Sequence, residues 1–245
     1  MSQHLALAAA ATVLLALVHA LVPALRAHLG ESGQSVVAAI GGGVAAAYVF
    51  VHLLPELARG NRALNEALGD SSELGGVGEI GLFAVALAGF LALYGLDHLA
   101  IRADGEAGAF AVHLGVYTLY NAVITYSLPT QFRADVPVTV LFVVAMAVHF
   151  LVADRSLARH HGRRFATVGR PVLAGGLVVG FLLAWVLAPT RAMVVSVLLA
   201  VLGGFILYVV FSDELPDEDR VRFPTFALSA GGYAGLLLVV TALQH

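Results

Sequence analysis

Eight stretches of about 20 mostly apolar residues follow one another along the chain. They lie at roughly 3–24, 35–57, 78–100, 109–128, 136–154, 171–188, 192–212 and 223–243. Each is long enough to cross the hydrocarbon core of a bilayer, and an isolated segment in lipid satisfies its own backbone only as a helix. The chain is therefore expected to be an all-α polytopic membrane protein, one transmembrane domain of eight helices. Composition agrees. Of 245 residues, 60% are hydrophobic and 12% charged, more apolar surface than a soluble domain of that size can hide. Pro129, Pro137, Pro171, Pro189 and Pro224 sit at or near the proposed ends, where proline is tolerated. The longest polar connection, residues 58–77, leaves room for a short surface helix at 63–68 but not for a soluble domain. Met1 to Leu5 carries no Lys or Arg, so the first stretch does not read as a signal peptide. Cysteine is absent, which excludes disulfides and thiolate metal sites.

Two of the stretches echo each other. Gly42 to Glu56 reads GGVAAAYVFVHLLPE, and Gly203 to Asp217 reads GGFILYVVFSDELPD. Without a gap, Gly42 pairs with Gly203, Gly43 with Gly204, His52 with Asp213, Leu54 with Leu215, Pro55 with Pro216 and Glu56 with Asp217. An odd number of crossings between the two starts makes the copies run in opposite directions. Inverted repeats of that kind mark secondary transporters, whose sites lie at the repeat interface. Chance is the competing reading, because Gly pairs and Leu-Pro-acid are cheap in an apolar chain.

Arginine sets the expected orientation. With the N-terminus outside, inner loops hold Arg26, Arg102, Arg155, Arg159, Arg163, Arg164, Arg170, Arg220 and Arg222, and outer loops hold Arg59, Arg62, Arg133 and Arg191. This nine-to-four split puts both termini outside the cytoplasmic membrane. The 155–170 loop, RSLARHHGRRFATVGR, reads as a topology anchor on the anionic inner leaflet. It is too cationic to invite a metal ion to His160 and His161.

Ionisable groups inside a span are costly, so each is a functional candidate. His52 and Glu56 share a helix face, and imidazole nitrogen plus carboxylate oxygen suits zinc or a similar divalent ion. Pro55 between them frees the carbonyl of Val51 as an extra oxygen donor. The alternative is a helix end with two solvated side chains. His113, Tyr117, Asn121 and Thr125 form a polar stripe along the fourth span, either lining a pathway or gluing helices together. His149 lies deep in the fifth span. Asp154 points about 140° away from it and beside Arg155 reads as a solvated ion pair. Asp97 has Arg102 within reach as a partner, and His19 reads as a hydrogen-bonded packing residue. Asp213, Glu214, Asp217, Glu218 and Asp219 either draw off departing cations or solubilise their loop. Gly175, Gly176, Gly180, Gly231, Gly232 and Gly235 have the spacing of close helix packing.

HLLPEL in the second span, GFLALYGLDH in the third, GGFILYVVFSDELPDE in the seventh and FPTFALSAGGYAGLLL after it resemble helices of the ZIP metal transporters. The resemblance covers nearly the whole chain. It implies a 3+2+3 inverted repeat of eight spans and movement of a divalent metal ion towards the cytosol. ZIP transporters carry HNxxD in their fourth helix and HExPHE in their fifth. Here the matching segments are YTLYN, Tyr117 to Asn121, and HFLVAD, His149 to Asp154. Tyr117, Thr118 and Asn121 stand for His, Asn and Asp; Phe150, Val152 and Ala153 replace Glu, Pro and His.

The expected function is passage of a divalent cation, zinc or similar, as substrate and not as a cofactor. His149 and Asn121 would coordinate it, His113 and Asp154 would contribute on the inner side, and His52 and Glu56 would receive it outside. The alternative is a ZIP-fold relative with a regulatory or structural role. An enzyme is not expected: the chain has no Ser-nucleophile turn, no HExxH and no intramembrane Asp pair. The expected partners are lipid and the metal ion, with no nucleic acid; a homodimer is compatible with this reading.

Overall fold

A computed structural model describes residues 2–68, 75–102, 106–187, 192–214 and 223–243. The long elements are α1 Gln3–Tyr48, α2 Leu54–Leu68, α3 Gly75–Arg102, α4 Glu106–Ala134, α5 Val136–Arg164, α6 Arg170–Leu187, α7 Ala192–Val209 and α8 Phe223–Ala242. Among the described residues, seven segments are long and apolar enough to cross a membrane: Gln3–Ala24, Ser32–Arg62, Ile80–Leu99, Ala107–Ala134, Val136–Leu187, Val194–Ser212 and Phe223–Ala242. Large apolar side chains such as Trp185, Val186 and Leu228 stand on outward faces, as a lipid solvent requires. The chain is an all-α, multi-pass membrane protein.

Two single residues redirect the chain. Gly30 (φ 57°) interrupts α1, and Gly162 (φ 50°) interrupts α5; both occupy the left-handed region that glycine reaches without a Cβ penalty. In a straight helix Val22 and Val37 would lie about 22 Å apart. Both instead line one small cavity with Leu151 and Arg155. Likewise Asp154 and Arg170 would be about 24 Å apart in a straight helix. Their side chains are 3.7 Å apart, so the chain folds back at Gly162.

Among the described residues there are three π-helical turns, and two of them show one cause. The three occupy Val49–Leu53, Phe165–Gly169 and Val210–Glu214, and each ends two residues before a proline: Pro55, Pro171 and Pro216. Proline has no N–H to give the carbonyl four residues back, and its ring crowds that carbonyl. The turn widens, and the residue before the proline bonds five back instead: Leu54 N–H to the Val49 carbonyl, Arg170 N–H to the Phe165 carbonyl. Val49 and Val210 each stand seven residues after the first glycine of the echoed pair, so the two copies widen at the same register. Pro216 and Asp217, like Glu218 and Asp219, lie outside the described residues.

The second glycine of each pair also has an equivalent setting. A methyl on Gly43 would strike the backbone of α8 at Phe226 and Ala230; one on Gly204 would strike α3 at Ala86 and Phe90. α1 runs along α5 and α8, α3 along α7, and α4 along α6. Gly176 and Gly180 seat α6 against the carbonyls of Thr118 and Ala122. Gly175, Gly231, Gly232 and Gly235 have open space where a Cβ would stand, so the expected packing role fails for them. Neighbouring helix positions point about 100° apart, so Gly175 misses the contact that Gly176 makes.

The helix of the second stretch does not end near residue 57. Helix continues to Leu68, and the short surface helix expected at 63–68 is its last part. Asn61 explains the extension: it is buried, its Oδ1 accepts the Leu82 N–H at 2.7 Å, and Gly60 lies against Leu82. Those contacts hold α2 on α3 beyond the expected boundary.

Candidate functional site

At one end of the bundle a cavity of about 660 Å³ opens between α1, α2, α4, α5, α7 and α8. Tyr48, His52, Glu56, Arg59, Gln131, Asp135, Thr139 and Ser196 line it. The helix face that joins His52 to Glu56 therefore turns into a vestibule. His52 lies over the Tyr48 ring at 5.3 Å. Glu56 is half-exposed and paired. It accepts two hydrogen bonds from the Arg59 guanidinium, one of them at 3.1 Å from Nε. Asp135 caps α5 by accepting the Val138 N–H at 3.0 Å. Two carboxylates against one guanidinium leave the vestibule favouring cations.

The opposite end is closed by a polar network, and Asp154 is its centre. Asp154 is fully buried, not a solvated partner of Arg155; Arg155 instead reaches the Gln34 carbonyl at 2.6 Å. Successive helix residues diverge by about 100°, so one turns into the bundle and the other away. Asp154 Oδ1 lies 2.9 Å from His19 Nδ1, and Arg170 Nε lies 3.7 Å from Oδ2. An ionised carboxylate only accepts, so His19 Nδ1 carries the proton. His19 Nε2 then accepts from Asn121 Nδ2 at 3.1 Å, and the same Nδ2 donates to the Leu173 carbonyl at 3.2 Å. Assigned this way, each group has one role and the pair Asp154–Arg170 leaves the network neutral. Phe150 supports it by stacking on the His19 ring at 4.8 Å.

His149 is also fully buried. Its ring packs against Tyr120 at 5.6 Å and Phe150 at 6.1 Å. Asn121 is turned instead to His19 and α6. His149 therefore stands about 7.5 Å along α5 from Asp154, between the vestibule and the network.

The polar stripe of α4 serves several neighbours. Thr125 donates to the Leu177 carbonyl at 2.7 Å. Thr118 bonds its own helix at Leu114. His113 leaves the Asn121 region altogether. Its Nε2 lies 2.8 Å from Asp97 Oδ1 and its Nδ1 2.9 Å from His161 Nε2. Tyr208 donates to Asp97 Oδ2 at 2.7 Å. Both His113 nitrogens are thus engaged, and Asp97 pairs with His113 and Tyr208. His161, read as part of a topology anchor, belongs to this second cluster. Arg170, read the same way, turns inward to Asp154.

No three His, Asp or Glu side chains among the described residues converge closely enough to hold a metal ion. The chain matches no protein-family model, no curated protein and no solved structure. His19 and Arg170 are the site residues that the sequence did not mark. A lone histidine in an apolar helix and one arginine at the end of a basic run carry no periodic signal. The folding back at Gly162 brings Arg170 to Asp154, and the packing of α1 along α5 brings His19.

Proposed function

We propose that this chain is a carrier for divalent metal cations, zinc or similar, working across the cytoplasmic membrane. Eight crossings would form two inverted three-helix repeats around α4 and α5, with both termini outside, as the Arg asymmetry favours. The shared register of the glycine pairs and π-helical turns supports the repeat. So does the pattern of neighbours. An exchange of first with sixth, second with seventh, third with eighth and fourth with fifth crossings turns α1 on α8 into α7 on α3, and α1 on α5 into α6 on α4. The motif resemblance to ZIP transporters agrees with this arrangement.

The observation that carries the reading is the pairing of an open vestibule with a closed polar network at the other end of the same bundle. His52, Glu56 and Asp135 would receive the cation from outside. His149 lies on the way in, and Asp154, His19 and Asn121 would face it near the inner side. A second reading, a ZIP-fold relative that does not transport, is favoured by the Arg170 contact, which occupies the network's one carboxylate. Plugging the vestibule tests the first. With Ser196→Cys in this cysteine-free chain, a bulky thiol reagent is expected to stop zinc, manganese or cobalt entry into proteoliposomes. Entry that continues after complete modification rules out this route.

A further inference from the structure

We propose that the Arg170 guanidinium is a tethered cation that occupies the seat of the substrate on Asp154. The inference deepens the cation-carrier reading and rests on its cation class. Asp154 is wholly enclosed, and its two oxygens face different partners: Oδ1 the His19 imidazole at 2.9 Å, Oδ2 the Arg170 Nε at 3.7 Å. The longer contact is the exchangeable one. A positive group at 3.7 Å neutralises the carboxylate without a tight hydrogen bond, whereas direct metal–oxygen bonds are near 2 Å.

Geometry gives Arg170 a means of leaving. It follows the π-helical turn Phe165–Gly169 directly and precedes Pro171, so it sits where the helix is already widened. In the same pose its guanidinium lies 5.4 Å from the Phe165 ring centre, a cation–π contact that a shift away from Asp154 can keep. The remainder of the network holds its form without it. Asn121 is fixed by both His19 Nε2 and the Leu173 carbonyl, and His19 is fixed by Asn121 and Phe150. Withdrawal of Arg170 therefore exposes a buried, pre-oriented carboxylate. His19 turns its hydrogen-bearing nitrogen towards that carboxylate, as a group orienting a ligand does. A divalent ion and Arg170 compete for one charge, so the contact keeps the inner end shut until a cation displaces it.

The test compares purified wild type, Arg170→Gln, and Arg170→Gln combined with Asp154→Asn, reading Tm with and without zinc, manganese or cobalt. Arg170→Gln is expected to melt below wild type without metal, because a bare carboxylate is left buried. Metal is expected to restore it, at a concentration at least tenfold lower than any wild-type response. The double variant is expected to fold and to ignore metal. Millimolar methylguanidinium is expected to raise the Tm of Arg170→Ala and to compete with the metal, an effect that a purely packing role does not produce. An unchanged metal response in Arg170→Gln overturns the proposal. So does Arg170→Gln failing to fold even with metal, whether or not the double variant folds. Because the readout is binding, it separates the two ideas. Wild type without uptake but with a metal-responsive Arg170→Gln removes the carrier reading alone. Wild type with uptake and an indifferent Arg170→Gln removes this one alone.

Discussion

Asp154 and Arg155 adjoin in the chain and have opposite surroundings. Asp154 is fully buried beside His19 of α1 and Arg170 of α6, and Arg155 ties the Gly30 end together through the Gln34 carbonyl. The sequence marked His149 and Asn121 as costly groups inside apolar helices, and both are buried; Asp154, read as solvated beside Arg155, is buried as well. It did not reveal their partners, because pairing across a bundle depends on where two chain reversals place distant residues. His19 is the residue on which this network turns. Replacing it with Ala strands Asp154 Oδ1 and leaves Asn121 Nδ2 with only the Leu173 carbonyl as acceptor. A stranded buried group costs about 1–3 kcal/mol, so His19→Ala is expected to lose about 3 kcal/mol, read as a fall in Tm of purified protein. A Tm within a degree or two of wild type would contradict the network. His149→Ala separates pathway from packing. Its ring touches aromatic neighbours, so stability should fall in either case, but the carrier account expects uptake per folded molecule to fall as well.

At the scale of elements, glycine and proline do most of the positioning. The echo in the sequence located Gly43, Gly204 and Pro55, and the π-helical turns follow from proline chemistry once the helices are known. What periodicity does not reveal is which face of a glycine meets a neighbour. Gly43 and Gly204 touch backbone, whereas Gly95 and Gly232 face open space. Gly43→Ala and Gly204→Ala are therefore each expected to cost about 1–3 kcal/mol through overpacking. Gly95→Ala and Gly232→Ala should leave stability unchanged or raise it by up to about 1 kcal/mol, since Ala is the better helix former. Thermal unfolding of the four variants side by side checks the pattern. Equal losses in all four would show that the packing assigned to the echoed pair is wrong.

At the scale of the molecule, the apolar stretches made the membrane class legible, because a span must be long and uninterrupted to satisfy its backbone in lipid. The vestibule was not legible. It exists only where the ends of α1, α2, α4, α5, α7 and α8 diverge, and no single stretch encodes that. Orientation is open to direct measurement. Ala134 and Ala166 are exposed and lie at opposite ends of the bundle, whereas Ser156 is buried and unsuited to labelling. In intact cells an impermeant thiol reagent should modify Ala134→Cys and should reach Ala166→Cys only after permeabilisation; the reverse would invert the topology. The central claim, that a divalent cation crosses this protein, is tested most directly by wild-type protein in liposomes. Saturable uptake of at least one of zinc, manganese, iron, cobalt or cadmium, absent from protein-free liposomes, is the result the account predicts. Uptake of none of the five by correctly folded protein, together with no metal-dependent rise in Tm, would contradict it.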